Sequence, residues 1–175
     1  MHGCMSGFGG MPNAELTSKG LKQLKGEHPP LLAQLEELYS LTEKIDKEVE
    51  IESNFGLLVE KTIEFKGDLD PHSDREEGVL FPMLGAYIGM TSGPIAVMEY
   101  EHDQAKENIR AFLEAGDFNQ SSSEELKKRS KLVQNAYSIL TEHFAKEENV
   151  LFPMAERMLS EEEKEELYQR IQEIK

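Results

Sequence analysis

Residues 72–83 read HSDREEGVLFPM, and residues 143–154 read HFAKEENVLFPM. The two stretches agree at the leading His, at both Glu residues and over the whole of VLFPM. Upstream of each lies a Glu-His pair, Glu27-His28 before the first and Glu101-His102 before the second. The chain therefore repeats itself once. Each half reads as one helical hairpin, with a single His on its first helix and a His-x-x-x-Glu on its second.

Working outward from the repeat, hydrophobic periodicity places four long helices. Leu31, Leu35, Leu38, Leu41, Ile45 and Val49 recur three or four apart, predicting a helix from about His28 to Glu50. Pro29 suits its first turn, where a missing N–H costs nothing. A second helix is predicted from about Ser53 to Leu84. Gly67 and Pro71 lie inside it, so a kink is expected near Asp70. A third spans about Pro94 to Ala115 and a fourth about Ser123 to Met158. Ser160 followed by Glu163 is a capping box for a short, highly charged fifth helix ending near Ile174. Whether residues 15–27 form a further short helix is left open by Gly20 and Gly26. The expected fold is all-α: an antiparallel up-down four-helix bundle with a short N-terminal segment and a short fifth helix. Residues 1–14 are expected to be a loose Gly- and Met-rich tail carrying His2 and the single cysteine, Cys4. Residues 15–175 then form one domain, its bundle lying at about 26–158.

Residues four apart share a helix face, so His72 and Glu76 point the same way, as do His143 and Glu147. Each pair shares its stripe with leucines, Leu69 and Leu80 in one half and Leu140 and Leu151 in the other. His28 and His102 also lie on apolar stripes. Burying six such polar groups is costly unless each has a partner, and a bare carboxylate is the worst case. Metal ions remove that cost. Four imidazoles and two carboxylates from related hairpins suggest a two-metal site in which each metal takes two His, with Glu76 and Glu147 bridging. A solvent bridge would make five donors each and leave room for a small ligand. Imidazole with carboxylate suits iron, and manganese or zinc also fits. A structural zinc site prefers four ligands, usually with Cys, which this pattern lacks. Glu77 and Glu148, 100° round from the ligand face, are expected to be solvated or to support the ligands. Glu101 and Asp103 read as exposed helix residues, with acceptance of an imidazole N–H as the alternative. Phe81 and Phe152 read as core, with a second role as apolar pocket walls.

Composition excludes other classes. Hydrophobic residues make up 38% and charged residues 30% of 175, an ordinary globular composition. A formal net charge of −15 makes nucleic acid and anionic membrane surfaces poor partners. The chain has no apolar run that would span a bilayer and no secretory signal at its start. With one cysteine, these features point to a reducing cytoplasm. No nucleophile–base arrangement or phosphate loop appears, which argues against hydrolase or kinase chemistry.

His28, His72-x-x-x-Glu76, Glu101-His102 and His143-x-x-x-Glu147, with LFP after each carboxylate, resemble the hemerythrin-like HHE cation-binding domain. GPIAVMEYEHDQA and EENVLFPMA look similar to the bacterial branch that repairs iron–sulfur clusters, the repair of iron centres proteins. The resemblance implies that His28, His72, Glu76, His102, His143 and Glu147 hold an oxo- or hydroxo-bridged di-iron centre. Hemerythrins and the repair proteins use a fifth His, which in the repair branch falls at Val49 here and in hemerythrins at Met98 or Lys106. Glu48, Glu50 or Glu52 then substitutes, or one iron is under-coordinated and labile. The repair proteins' N-terminal Cys-containing domain also finds no counterpart here. The expected function is binding or sensing of O₂, NO or peroxide, or handling of labile iron. The alternatives are an iron-donating repair factor for damaged clusters, and a structural bundle held together by its metal.

Overall fold

The computed structural model describes residues 15–175, so the tail assigned to 1–14, with His2 and Cys4, lies outside the described residues. Every regular element among the described residues is helical: α1 (Lys19–Gly26), α2 (His28–Asp46), α3 (Ile51–Arg75), α4 (Phe81–Ile88), α5 (Pro94–Glu114), α6 (Ser123–Lys146), α7 (Phe152–Met158) and α8 (Glu161–Gln172). Residues 15–27 thus include a separate short helix. Among the described residues no helix is long and apolar enough to cross a membrane.

Helices α3 and α4 make one rod, as do α6 and α7. Each rod is interrupted by a single π turn, at Glu76–Leu80 and at Glu147–Leu151. The cause is in the repeat. Pro82 and Pro153 lie in the first turn beyond each π turn. A proline has no N–H for the carbonyl four residues back, and its ring collides with that carbonyl. Widening the turn by one residue relieves both problems. Phe81 N–H then donates to the Glu76 carbonyl, and Phe152 N–H to that of Glu147.

The kink expected near Asp70 is not where the second helix breaks. Helix α3 runs through Pro71 without interruption, and the irregularity falls at Glu76. Gly67 stands four residues before Pro71, where the backbone must open to admit the ring, and a side chain there would meet nothing.

Helices α2, α3, α5 and α6 form the four-helix bundle, with α2 packed on α3 and α6, and α5 packed on α6. Its interior has two apolar clusters. One holds Leu31, Leu35, Leu38, Phe55, Phe65, Leu69, Ala105, Ile109, Phe112, Leu140 and Phe144. The other holds Leu24, Val79, Leu80, Phe81, Met98, Leu151 and Phe152. Helices α1 and α8 close this second end: Leu21 and Leu24 of α1 pack with Leu167 and Ile171 of α8. At Gly20 the helices come so close that a Cβ would sit 3.1 Å from Leu167 Cγ. Ser122 with Glu125 caps α6 reciprocally, and Ser160 with Glu163 caps α8 as the sequence predicts.

Candidate metal centre

Along every bundle helix the boundary between the two clusters is occupied by a polar residue. His28 lies between Leu24 and Leu31, His72 and Glu76 between Leu69 and Val79, His102 between Met98 and Ala105, and His143 and Glu147 between Leu140 and Leu151. All six are buried, none more than 2% exposed. The structure brings together all six residues singled out in the sequence. They form two overlapping sets, His28, His72, Glu76 and Glu147 in one, and Glu76, His102, His143 and Glu147 in the other. Within a set the potential ligand atoms lie within 4.8 Å of one another. Glu76 and Glu147 belong to both.

The inner atoms of this constellation have no hydrogen-bond partners. Nε2 of His28, His72 and His143 and both carboxylate oxygens of Glu76 and Glu147 are buried and orphaned. His72 Nε2 stands 2.5 Å from Glu76 Oε1, and His143 Nε2 stands 2.9 Å from Glu147 Oε1. A proton on His72 can lie between the first pair, but the remaining lone pairs gathered in an apolar interior are unfavourable unless cations lie among them. That donor set fits metal ions.

The outer faces of the imidazoles are anchored. His72 Nδ1–H donates to Glu27 Oε1 at 2.9 Å, His102 Nδ1–H to Glu77 at 2.6 Å, and His28 Nδ1–H to Glu148 at 3.2 Å. His143 Nδ1 stands 3.7 Å from Glu101 and makes no hydrogen bond. A carboxylate only accepts, so each anchored ring carries its proton on Nδ1 and turns Nε2 inward. The anchors are crossed: Glu27 and Glu101 face the His of their own hairpin, whereas Glu77 and Glu148 hold the His that opens the other hairpin.

The expected exposure of Glu101 is not observed. It is largely buried and paired with Lys146 at 3.0 Å. Glu27 had no assigned role in the sequence, although its recurrence with Glu101 before each first-helix His was the available signal. Phe81 stacks on His102 at 5.6 Å between centroids, and Phe152 and Phe144 stack on His28 at 5.6 and 4.3 Å. The LFP phenylalanines are therefore walls of the site as well as core. Between α2 and α3 a crevice of about 180 Å³, lined by Glu27, Gln34, Asp68 and Arg75, reaches His72.

Charge within the metal-free cage is uneven. Burial acts to lower the His72 pKa, but Glu76 and Glu27 outweigh it and raise it to about 9. Burial acts to raise Glu76, yet His72 holds it down at about 2. His143 is lowered to about 3 by burial and by its His102 neighbour, and His28 is lowered by burial and by His72. A proton on His72 is thus shared with Glu76 and Glu27, while His28 and His143 stay neutral.

A glutamate substituting for a fifth histidine is not found at residues 48–52. Helix α2 has 19 residues, so its ends stand roughly 28 Å apart. His28 is at one end, and Glu48 and Glu50, both with positive φ, are in the turn after the other. Glu48 instead pairs with Lys127. Met98 is buried in the second apolar cluster and Lys106 pairs with Glu77. The two donor sets are therefore equal in composition, two His and two shared Glu each. A missing histidine does not distinguish them.

The hemerythrin HHE cation-binding domain profile matches residues 19–155. Curated relatives are iron–sulfur cluster repair proteins of the YtfE type. The protein from Musicola paradisiaca is 33% identical over 130 residues, 71% of this chain and 58% of its own length. That from Dickeya chrysanthemi is 38% identical over 80 residues, covering 44% and 36% of the two chains. That from Escherichia coli is 37% identical over 93 residues, covering 50% and 42%. The chain thus spans less than two thirds of the length of these relatives. No solved structure matches. The matched segment contains every residue of the buried constellation, and the chain belongs to the hemerythrin HHE cation-binding family.

Proposed function

We propose that the chain binds two iron ions and uses them to bind or sense a small ligand, O₂, NO or peroxide, or to hold labile iron. His28 and His72 would hold one ion and His102 and His143 the other, with Glu76 and Glu147 shared. The observation that carries this reading is the pair of overlapping buried donor sets with orphaned inner atoms. When bound, a di-iron pair supplies redox-active coordination chemistry towards diatomics. The protein's own part is to exclude bulk water with Phe81, Phe144 and Phe152, and to fix each ring with a carboxylate at Nδ1. A reading as an iron donor to damaged clusters is favoured by the YtfE relatives, which are iron–sulfur cluster repair proteins. A purely structural metal is the third reading.

Metal analysis with an absorption spectrum of aerobically isolated protein tests the proposal. Two irons per chain and near-ultraviolet bands of a bridged ferric pair are expected. Zinc with a silent spectrum would leave the structural reading standing. Transfer of iron to an apo-cluster protein, measured against ligand binding, separates the first two readings.

A further inference from the structure

The two donor sets match in composition, but their supports do not. On the His72 side, Glu27 Oε2 accepts from Arg75 Nη1 at 2.9 Å, and the same guanidinium donates from Nη2 and Nε to the Ile174 carbonyl at 2.9 and 3.2 Å. Continuous contacts therefore run from the segment after α8, through Arg75 and Glu27, to His72. The Ile174 side chain also lies over the first π turn, where its Cδ1 would be 3.8 Å from a Cβ on Gly78. Leu167 and Ile171 of α8 are fully buried in the cluster that contains Val79, Leu80 and Leu151. On the His143 side the corresponding carboxylate, Glu101, is held by Lys146, which is about half exposed, and it does not reach Nδ1. Helix α8 lies beyond residues 19–155, the part shared with the family.

We infer that the C-terminal segment is a latch on one half of the metal centre: docked through Arg75, it fixes Glu27 and hence His72, and so slows loss of the ion held by His28 and His72 relative to the ion held by His102 and His143. Arg75 is a positioning residue in this scheme. It is too far down the chain of contacts to be a ligand, and acts by holding Glu27 where the His72 ring needs an acceptor. An arginine suits the task because three nitrogens of its planar fork meet a carboxylate and a carbonyl in fixed directions, a geometry that the single nitrogen of a lysine does not set. Supporting carboxylates of this kind typically alter metal affinity about 10–100-fold.

The inference rests on the two-metal reading, and its test keeps the two apart. The full chain is loaded anaerobically with ferrous iron, and iron per chain is measured first. A value other than two counts against the two-metal reading alone. Iron capture by a ferrous chelator is then followed in the parent chain, in Arg75→Ala, in Arg75→Lys, and in a chain ending at Gln172, which keeps Leu167 and Ile171. The parent is expected to release iron in two phases. In Arg75→Ala and in the shortened chain the slow phase accelerates about 10–100-fold while the fast phase is unchanged, and Arg75→Lys does not restore it. Unchanged slow phases, or equal acceleration of both phases, would overturn the latch. A metal-free readout stands beside it. The His72 Nδ1–H proton resonance of the apo protein should be lost to exchange in Arg75→Ala and in the shortened chain, while that of His102, anchored on Glu77, persists. Persistence of the His72 signal in both variants would equally overturn it.

Discussion

Replacing Glu147 with Gln should change stability with opposite sign in the metal-free and metal-loaded protein. Glu147 is fully buried and both its oxygens are orphaned. Its neighbours His28 and His143 both have lowered pKa values and are neutral at pH 7, and the proton on His72 is closer to Glu76. Neither neighbour therefore offers the Glu147 carboxyl group a charged partner in the apo protein. An isosteric amide carries no charge at any pH and can donate to His143 Nε2, which stands 2.9 Å from Oε1. A buried unsatisfied group costs about 1–3 kcal/mol, more when charged. The apo variant is thus expected to be more stable by about 1–3 kcal/mol, or roughly 2–4 °C per kcal/mol for a chain of this size. With metal the sign reverses, because Glu147→Gln removes one donor from both sets at once. Each ion held at about a thousand times its dissociation constant contributes about 4 kcal/mol of folding stability, and the variant forfeits most of that. Denaturant unfolding of both proteins, with and without ferrous iron, measures all four midpoints. An apo variant less stable than the apo parent, or equal stabilisation of both proteins by iron, would refute the reasoning.

Three further outcomes follow from the same geometry. Glu148→Gln should keep two irons at saturation but weaken one of them about 10–100-fold, because Glu148 anchors His28 without facing the metals; a competitive chelator titration reads this. Loading iron at pH 7 should release the proton that His72 carries below its folded value of about 9, since the ring must lose it from Nε2 to become a ligand; this release should fade as pH rises through 9, as followed with an indicator dye and removed by His72→Ala. Glu156 accepts from the Thr17 and Ser18 amides at the start of α1 and pairs with Lys164 of α8 at 3.0 Å, which holds it down to about 2 against the burial that would raise it. A depressed carboxylate stabilises the fold above its unfolded pKa of about 4.5, and that contribution is lost as pH falls through 2. Glu156→Gln should therefore lower the melting temperature at pH 7 and flatten its fall below pH 4.5.

The bundle and the six inward residues were readable because two signals coincide. A helical period fixes which residues share a face, and the repeat shows that the same polar residues break that face twice. The supports were harder. In a regular helix Glu77 and Glu148 turn away from Glu76 and Glu147. Period counting leaves them either solvated or supporting, and which holds depends on how the two hairpins pack, since each reaches a His of the other hairpin. Pro71 marks the wrong place: helix α3 runs through it unbroken, and the irregularity falls at Glu76, before Pro82. The fifth histidine was sought by counting residues, whereas the length of α2 carries that position to the far end of the bundle. Nothing in the spacing of Arg75 and Ile174 announces their contact, which depends on how α8 folds back.

The crossed anchors have a consequence for assembly. Cut the chain in the turn at residues 89–93, and each half keeps one Glu-His pair and one His-x-x-x-Glu-Glu, a self-similar set of parts. Neither half is self-sufficient. Its first-helix imidazole is oriented by a carboxylate on the other fragment, and both donor sets include both glutamates, one from each half. The site is thus a seam between two subassemblies as much as a pocket in one domain. A metal ion bound across it would join the halves, so complementation between separately made fragments is expected to rise and fall with the concentration of that metal.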